Sequence, residues 1–469
     1  MRGQDHAADE TAPRLVAALS GGAIVIVWAG VLLDALFAVP GAAAVAVAAL
    51  AVYLVLQAPR LNRLAWVHLA VGAAAAGTVL ATLDDPVSVL MEGLARSAFI
   101  ASLFAALGML REAAQISPTI LRAGRMLVHQ PPGRRYIAIT AGSALFGAIL
   151  NFGTVTLLGG MINQANTLQA AHGQEDVRLV RQQRMLTALL RGFATIMFWC
   201  PLTVAFAVVT ATIPGADWPP LVMWGGLTTI CVMAIGWTID RLTMPRRRLP
   251  VEADPFRFSR LAPLIGLIAA VFVLAFSIEE TTSGQLIHGV ILIVPLIAVI
   301  WLVAGHEVAG ARRLAHYLVS DVPGQRQEVA ILGNAAFLGT AVAALVPPTA
   351  LEALIGPGSV APVLLPVIAL WLVVGAGQIG ANPLLTATVI ATLVANAPTL
   401  DYEATAMGLA LVMGWSLTVG SSPAAAATMI IGRFSNHSAA YIAHRWNGLH
   451  TAVSLLFCSV ILMVVHTVG

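Results

Sequence analysis

The sequence predicts an all-α polytopic membrane protein with about eleven transmembrane helices and two re-entrant hairpins. Of its 469 residues, 59% are hydrophobic and only 10% are charged, and the mean hydropathy is +0.87. A chain of this composition has little material left for a soluble domain. Apolar runs recur along its whole length, and most reach the roughly 20 residues that a membrane-spanning helix needs.

The predicted spanning helices follow these apolar runs in order. The first run, at about 15–37, is long and has no small-residue cleavage site, so we expect an extra, retained first helix within a domain 1–40, and no signal peptide. The other ten helices are predicted at about 41–57, 64–82, 87–110, 188–213, 221–239, 261–277, 286–304, 329–346, 404–432 and 447–467.

The basic residues predict the orientation of these helices. All of them apart from histidine are arginines, and they cluster in short loops, which is typical of cytoplasmic loops. We therefore expect a bacterial-type inner (plasma) membrane protein, surrounded by lipid, with its N-terminus in the cytoplasm. The net charge of +3 comes from these loops and does not indicate a nucleic-acid partner. The three cysteines lie in apolar runs without metal-binding or disulfide spacing.

Two apolar stretches are predicted to be hairpins that enter and leave on the same side. The stretch 359–396 has two arms too short to span, joined through Asn382 and Pro383, and both its flanks lack arginine. The stretch 136–161 is interrupted at Asn151 and lies between two arginine-rich segments. Interrupted backbone at membrane depth is tolerated only where protein or a water-filled cavity covers it.

The order of parts predicts an internal repeat. In each half a hairpin is followed by a helix broken at a proline, at Pro201 in 188–213 and at Pro423 in 404–432. We place the first repeat at 41–243, a cytoplasmic linker at 244–260 and the second repeat at 261–469. Helix counting has the first hairpin enter from inside and the second from outside, so the repeats are inverted. Broken helices in corresponding positions point to a transporter's binding site.

This architecture resembles the ion transporter superfamily, whose best-described members are the divalent anion/sodium symporters. That family carries Ser-Asn-Thr at both hairpin tips, whereas the tips here read Leu150-Asn151-Phe152 and Ala381-Asn382-Pro383, so only the asparagines match. The resemblance implies a secondary active transporter with elevator-type alternating access. It also implies a homodimer, formed through a scaffold of the helices at 41–57, 64–82, 261–277 and 286–304.

The tips and breaks supply the candidate site residues. In such a fold, N–H groups at half-helix N-termini face an anionic substrate and unwound carbonyls coordinate a cation. The candidate substrate-binding residues are Asn151, Thr154, Pro201, Thr203, Asn382, Thr386, Ser421, Ser422 and Pro423. The candidate ligands of a coupling Na⁺, the only expected cofactor, are Asn151, Gly153, Thr203, Asn382 and Ser421. All are neutral, so they suit a monovalent cation and offer no group that takes up a proton.

Purely structural interpretations remain open for these residues. An Asn or Ser in a membrane helix often holds neighbouring helices together, at about 1 kcal/mol, and a proline alone kinks a helix. Among the ionisable residues, Glu92 and Arg96 have the spacing of an intrahelical ion pair. Arg191 is predicted to extend to the cytoplasmic surface.

The sequence therefore favours a secondary active transporter of a small anion, coupled to Na⁺, with import and export both open. The alternative is an anion or ion channel that uses the same hairpins as a pore. An enzyme is disfavoured, because His306 and Glu307 lack the second histidine of a zincin, and no nucleophile elbow or phosphate-binding loop is present. We expect no catalytic residue.

Overall fold

The computed structural model describes residues 4–115, 117–245, 256–282, 285–347, 361–397 and 400–468. Within these ranges the chain forms helices and turns without any strand, and eleven helices are long and apolar enough to cross a membrane. The predicted fold class and the number of spanning helices are thereby confirmed. The broken helices run over Glu175–Thr212 and Ala404–Ser435, counted across their interruptions. The first begins earlier than predicted, because its arginine-rich segment continues the helix.

The helices, numbered in chain order, are α1 Gln4–Phe37, α2 Ala42–Gln57, α3 Arg63–Thr82, α4 Pro86–Gln115, α5 Pro118–Val128, α6 Pro132–Leu150, α7 Gly153–Ala165, α8 Glu175–Ala194, α9 Ile196–Trp199, α10 Val204–Thr212, α11 Trp218–Thr243, α12 Ala262–Thr281, α13 Leu286–His316, α14 Val322–Gly324, α15 Arg326–Leu345, α16 Leu364–Gln378, α17 Pro383–Ala395, α18 Ala404–Ser421, α19 Ala426–Ser435 and α20 Gly448–Val468. Two π-helices, Tyr317–Asp321 and Tyr441–Trp446, precede α14 and α20.

The chain divides into two compact units. Unit 1 comprises residues 1–113 and 270–347, and it has a core centred on α1, α2 and the π-helix at Tyr317–Asp321. Some of its buried polar groups are paired internally: the Tyr53 hydroxyl donates to the Val322 carbonyl at 3.0 Å, and Gln57 Nε2 donates to Ser20 at 2.7 Å. Gln57 Oε1 and Ser102 Oγ are buried without a partner among the described residues. The predicted pair of Glu92 and Arg96 is confirmed at 2.9 Å.

Unit 2 comprises residues 114–269 and 348–469, and it contains both interrupted stretches and both broken helices. In the first hairpin (132–165), α6 and α7 contact each other across a two-residue turn. In the second hairpin (364–395), α16 and α17 contact each other across residues 379–382. These hairpins occupy the predicted stretches 136–161 and 359–396, except that residues 359 and 360 lie outside the described ranges.

The four interrupted elements of unit 2 pack in a matching pattern. The first arm of each hairpin packs on the first part of its own broken helix, α6 on α8 and α16 on α18. The second arms cross over, so that α7 packs on α19 and α17 packs on α10. Such an exchange is what two structural repeats would produce. The repeat boundaries, the linker and the inverted orientation in the membrane stay predictions.

A short amphipathic helix in unit 2 has no counterpart among the predicted elements. Helix α5 begins at Pro118 and packs on both arms of the first hairpin. Its apolar side chains, among them Ile120 and Leu127, are buried, whereas Arg122 and Arg125 are exposed. The arginines are typical of a polar loop, whereas the helical spacing of the apolar residues between them indicates a helix.

Candidate functional site

The tip of the first hairpin buries polar side-chain atoms that have no partner among the described residues. Asn151 ends α6 with a backbone φ of 48°, an unusual conformation for a non-glycine residue. Its carbonyl accepts from the Thr154 amide at 2.9 Å. Asn151 Oδ1 and Thr154 Oγ1 are both buried and lack a hydrogen-bond partner within the described ranges, and Thr154 is 0% exposed.

Other buried hydroxyls, such as those of Thr187 and Thr229, also lack a partner among the described residues, but at the first tip two such oxygens lie on one turn. A buried hydroxyl or amide without a partner costs about 1–3 kcal/mol, so native structures seldom leave one without a reason. The two oxygens lie on one turn at the start of α7, where Gly153 is the first helical residue and the amides of residues 154–156 already donate to carbonyls of the turn. This tip therefore offers neutral side-chain oxygens to a cation.

The tip of the second hairpin has its polar side chains engaged. Asn382 is the N-cap of α17, and its Oδ1 accepts from the Leu384 amide at 2.9 Å. The Thr386 hydroxyl donates to the Asn382 carbonyl at 3.2 Å. Gly380 at the turn has φ +89°, which favours glycine. The polar groups of this tip thus stabilise the start of the helix.

The first broken helix is interrupted at Cys200–Thr203, and the predicted residues there are buried. Pro201 follows the extended Cys200, and Thr203 is the N-cap of α10. The Thr203 hydroxyl donates to the Cys200 carbonyl at 2.9 Å and accepts from the Phe206 amide at 3.4 Å. Its oxygen therefore serves the local turn.

The second broken helix is fastened to the second hairpin. The Ser422 hydroxyl donates to the Gly377 carbonyl at 2.6 Å, and Ser421 Oγ accepts from Gln378 Nε2 at 3.1 Å. Pro423 follows Ser422, whose extended conformation ends α18. The structure thus brings Ser421 and Ser422 to the end of α16.

Near its tip, the first hairpin meets its own broken helix through apolar and aromatic contacts, whereas farther from the tip Gln182 donates to Asn163 Oδ1 at 3.0 Å. The rings of Phe152 and Phe193 lie 5.3 Å apart, and a Cβ at Gly147 would lie 2.8 Å from Ile196 Cγ2. This close approach requires glycine at position 147. Near the tips, the two hairpins are therefore joined to their broken helices by different kinds of contact.

The prediction that the Arg191 side chain extends to the cytoplasmic surface is wrong. This arginine is 5% exposed and donates to Asn447 Oδ1 at 2.8 Å, to the Tyr136 hydroxyl at 3.0 Å and to the Gly236 and Trp446 carbonyls. Asn447 in turn donates to the Gly420 carbonyl at 2.8 Å, directly before the break between α18 and α19. A buried cation is tolerated when neutral acceptors satisfy its hydrogen-bond donors. The position of Arg191 along its own helix does not reveal these acceptors, because they belong to other elements.

Two further residues near the second tip, Gln378 and His444, were not predicted as site residues from the sequence. Gln378 bridges Ser421 and His444, whose Nε2 lies 3.1 Å from Gln378 Oε1. Position 378 stood within the predicted tip, but its partner His444 lies in a π-helix that the sequence did not indicate. Among the described residues, no group of three or more His, Cys, Asp or Glu side chains forms a metal site.

The five candidate Na⁺ ligands fit such an ion unequally. Asn151 has a free, buried side-chain oxygen, whereas those of Asn382, Thr203 and Ser421 already accept hydrogen bonds. Gly153 adds no side chain. Thr154, predicted only as a substrate-binding residue, supplies the second free oxygen. The donor set for a cation is therefore best developed at the first tip.

Comparisons with known proteins support the fold. No family model matches the sequence, and no curated protein matches it significantly. Among solved structures, the YdaH transporter of Alcanivorax borkumensis, described as having an unusual topology, matches with a TM-score of 0.53 and 16% identity over 82% of this chain and 89% of that chain.

A second solved structure leads to the same conclusion. MtrF of Neisseria gonorrhoeae, reported to illuminate a class of antimetabolite efflux pumps, matches with a TM-score of 0.52 and 13% identity over 81% of this chain and 84% of that chain. At these identities the likeness concerns the fold. The resemblance to the ion transporter superfamily stays a prediction, and this multi-pass membrane protein shares its fold with two transporters.

Proposed function

We propose that this protein is a secondary active transporter of a small anionic solute. The observation that carries the proposal is the core of unit 2, where two hairpins and two broken helices pack crosswise around interrupted backbone. The fold shared with two transporters supports it. Helix interruptions leave main-chain N–H and C=O groups free to bind a solute in the absence of charged side chains.

Na⁺ is the proposed coupling ion. Asn151 Oδ1 and Thr154 Oγ1 would hold it, because both are neutral and buried and have no partner in the part of the chain that the structure describes. A bound monovalent cation next to helix N-termini would in turn favour a nearby anion. The tips and breaks contain no Asp, Glu, Arg, Lys or His, so proton coupling through such a group is not part of the proposal.

The transport cycle is proposed to move unit 2, which contains the whole site, relative to unit 1 in an elevator-type alternation. The protein would act as a homodimer in the inner membrane, with its N-terminus in the cytoplasm. Transport direction is left to experiment, since one structural neighbour is described as an efflux pump.

The substrate class and the coupling ion are tested together. Purified protein is screened by thermal shift against carboxylates, sulfonates and inorganic oxyanions, in Na⁺ and in choline buffers. We expect one class to raise the unfolding temperature in Na⁺ and much less in choline. Equal stabilisation by every anion with and without Na⁺ would refute both the selectivity and the coupling.

The carrier mechanism is tested in liposomes with the solute that this screen selects. A carrier shows saturable counterflow of labelled solute and no unitary current. Ohmic single-channel current without counterflow would instead establish the channel.

A further inference from the structure

A cavity of about 140 Å³ lies at the N-terminal ends of α6 and α8. Its lining residues belong to none of the tips or breaks, so it is separate from the proposed transport site. Three arginines line it, together with Tyr136 and mainly apolar residues, and the lining also includes Asp176. We refer to it as the arginine cavity.

Arg135 is the most deeply buried of these arginines. It is 6% exposed, and its Nε donates to the Gln130 carbonyl at 2.7 Å. Its Nη2 is buried and has no hydrogen-bond partner in the part of the chain that the structure describes. A guanidinium group with a free, buried donor is poised for an oxyanion, since its planar fork matches phosphate oxygens.

Arg181 presents a second unsatisfied donor. Its Nη1 and Nη2 donate to the Ala170 and Ala165 carbonyls at 3.2 and 3.4 Å, whereas its Nε is buried and unpaired among the described residues. Arg184 differs, because it forms a bidentate pair with Asp240. Among the described residues, Arg184 is therefore paired with a carboxylate, whereas Arg135 and Arg181 are not.

We propose that the arginine cavity binds a phosphate-type oxyanion between Arg135 and Arg181. The phosphate comes either from the headgroup of an anionic phospholipid or from solution, and the recognition chemistry is the same. Basic pockets between membrane helices on the cytoplasmic side commonly hold such headgroups. Because Arg181 also binds the Ala165 carbonyl at the end of α7, the bound anion would connect the first hairpin to α8.

The test measures thermal unfolding of the full-length, delipidated protein in neutral detergent. One arm titrates inorganic phosphate against potassium chloride of equal ionic strength. The other arm titrates phosphatidylglycerol against phosphatidylcholine. The variants are Arg181→Gln, Asp176→Asn and, as a matched control, Arg122→Gln, which removes an exposed arginine of α5 outside the cavity lining.

We expect saturable stabilisation by at least one phosphate source above its control. Arg181→Gln should weaken the apparent affinity at least about tenfold, because a charge-assisted bond is lost. Asp176→Asn should tighten it several-fold by removing a like charge, and Arg122→Gln should leave it unchanged. Stabilisation by phosphatidylglycerol alone identifies the headgroup as the source, and stabilisation by phosphate in lipid-free protein identifies the free ion.

The proposal is overturned if neither source stabilises the wild-type protein above its control. It is equally overturned if Arg181→Gln and Arg122→Gln respond alike. Should Arg181→Gln fail to fold, Asp176→Asn decides, since this side chain is exposed and its predicted effect has the opposite sign.

Discussion

The two hairpin tips occupy corresponding places in unit 2 but use their polar residues differently. At the first tip, Asn151 and Thr154 bury oxygens that have no partner in the described protein. At the second tip, Asn382 caps its helix, and the end of α16 is bonded to Ser421 and Ser422. The comparison suggests that the first tip is shaped for a ligand and the second for a stable junction.

Replacing the free oxygens of the first tip should produce the largest effect. We expect Thr154→Val to lower transport at least about tenfold, since one liganding oxygen is lost, while stability stays equal or rises because an unpaired buried hydroxyl is removed. Uptake into liposomes and thermal unfolding, each with and without Na⁺, measure the two quantities. Asn151→Ala should likewise reduce transport.

Thr156→Val is the matched control for this prediction. Thr156 lies on the same turn, is exposed, and donates to the Gly153 carbonyl at 3.0 Å. It should keep both transport and stabilisation by Na⁺, whereas Thr154→Val should lose the latter. A Thr154→Val protein that is less stable but transports normally would show that Thr154 serves packing.

Substitutions at the contact between α16 and α18, next to the second tip, should change the stability of the protein. A Cβ at Gly377 would overlap Thr418, whose hydroxyl is fixed by the Gly414 carbonyl at 2.8 Å and so cannot rotate away freely. We expect Gly377→Ala to destabilise the protein by about 1–3 kcal/mol, the usual cost of overpacking. Thermal or denaturant unfolding in detergent measures it.

Gly375→Ala on the same helix provides the control. Nothing lies within 4 Å of a Cβ at that position, so this change should be neutral or slightly stabilising. Equal destabilisation by both substitutions would mean that the contact between α16 and α18 is looser than the structure has it.

Much of this fold was predictable from the sequence, and part of the site was not. Apolar length, arginine-rich loops and the breaks at Asn151, Pro201, Asn382 and Pro423 locate nearly every element, because lipid imposes simple rules on length and backbone pairing. Those rules do not distinguish a free asparagine oxygen from one that caps a helix. That distinction depends on the local turn, which is left-handed at Asn151 and extended at Asn382.

The buried position of Arg191 shows a second limit of the sequence. Its environment is built from Tyr136, Gly236 and Asn447, which are far apart along the chain. The sequence of one helix shows how far Arg191 lies from the helix end but not which residues of other helices surround it. It therefore predicts an arginine that extends to the surface. Only the tertiary arrangement supplies the carbonyl and amide acceptors that make burial tolerable.

Asn382 offers a sharper test of the difference between the tips. We expect Asn382→Ala to cost about 1 kcal/mol through loss of the N-cap, whereas Asn382→Ser should restore most of it because serine also caps helices. If the role is structural, transport by Asn382→Ser stays near wild type in liposomes. A stable Asn382→Ser protein that no longer transports would assign this asparagine to the solute site and make the tips equivalent.

The smallest effect is expected at Gln378, an exposed residue that links Ser421 to His444. Gln378→Ala should change stability by less than about 0.5 kcal/mol, as is usual for exposed positions, and transport by less than about twofold. Liposome uptake by wild type and Gln378→Ala in parallel measures this, and a tenfold loss would place the second tip within the transport site.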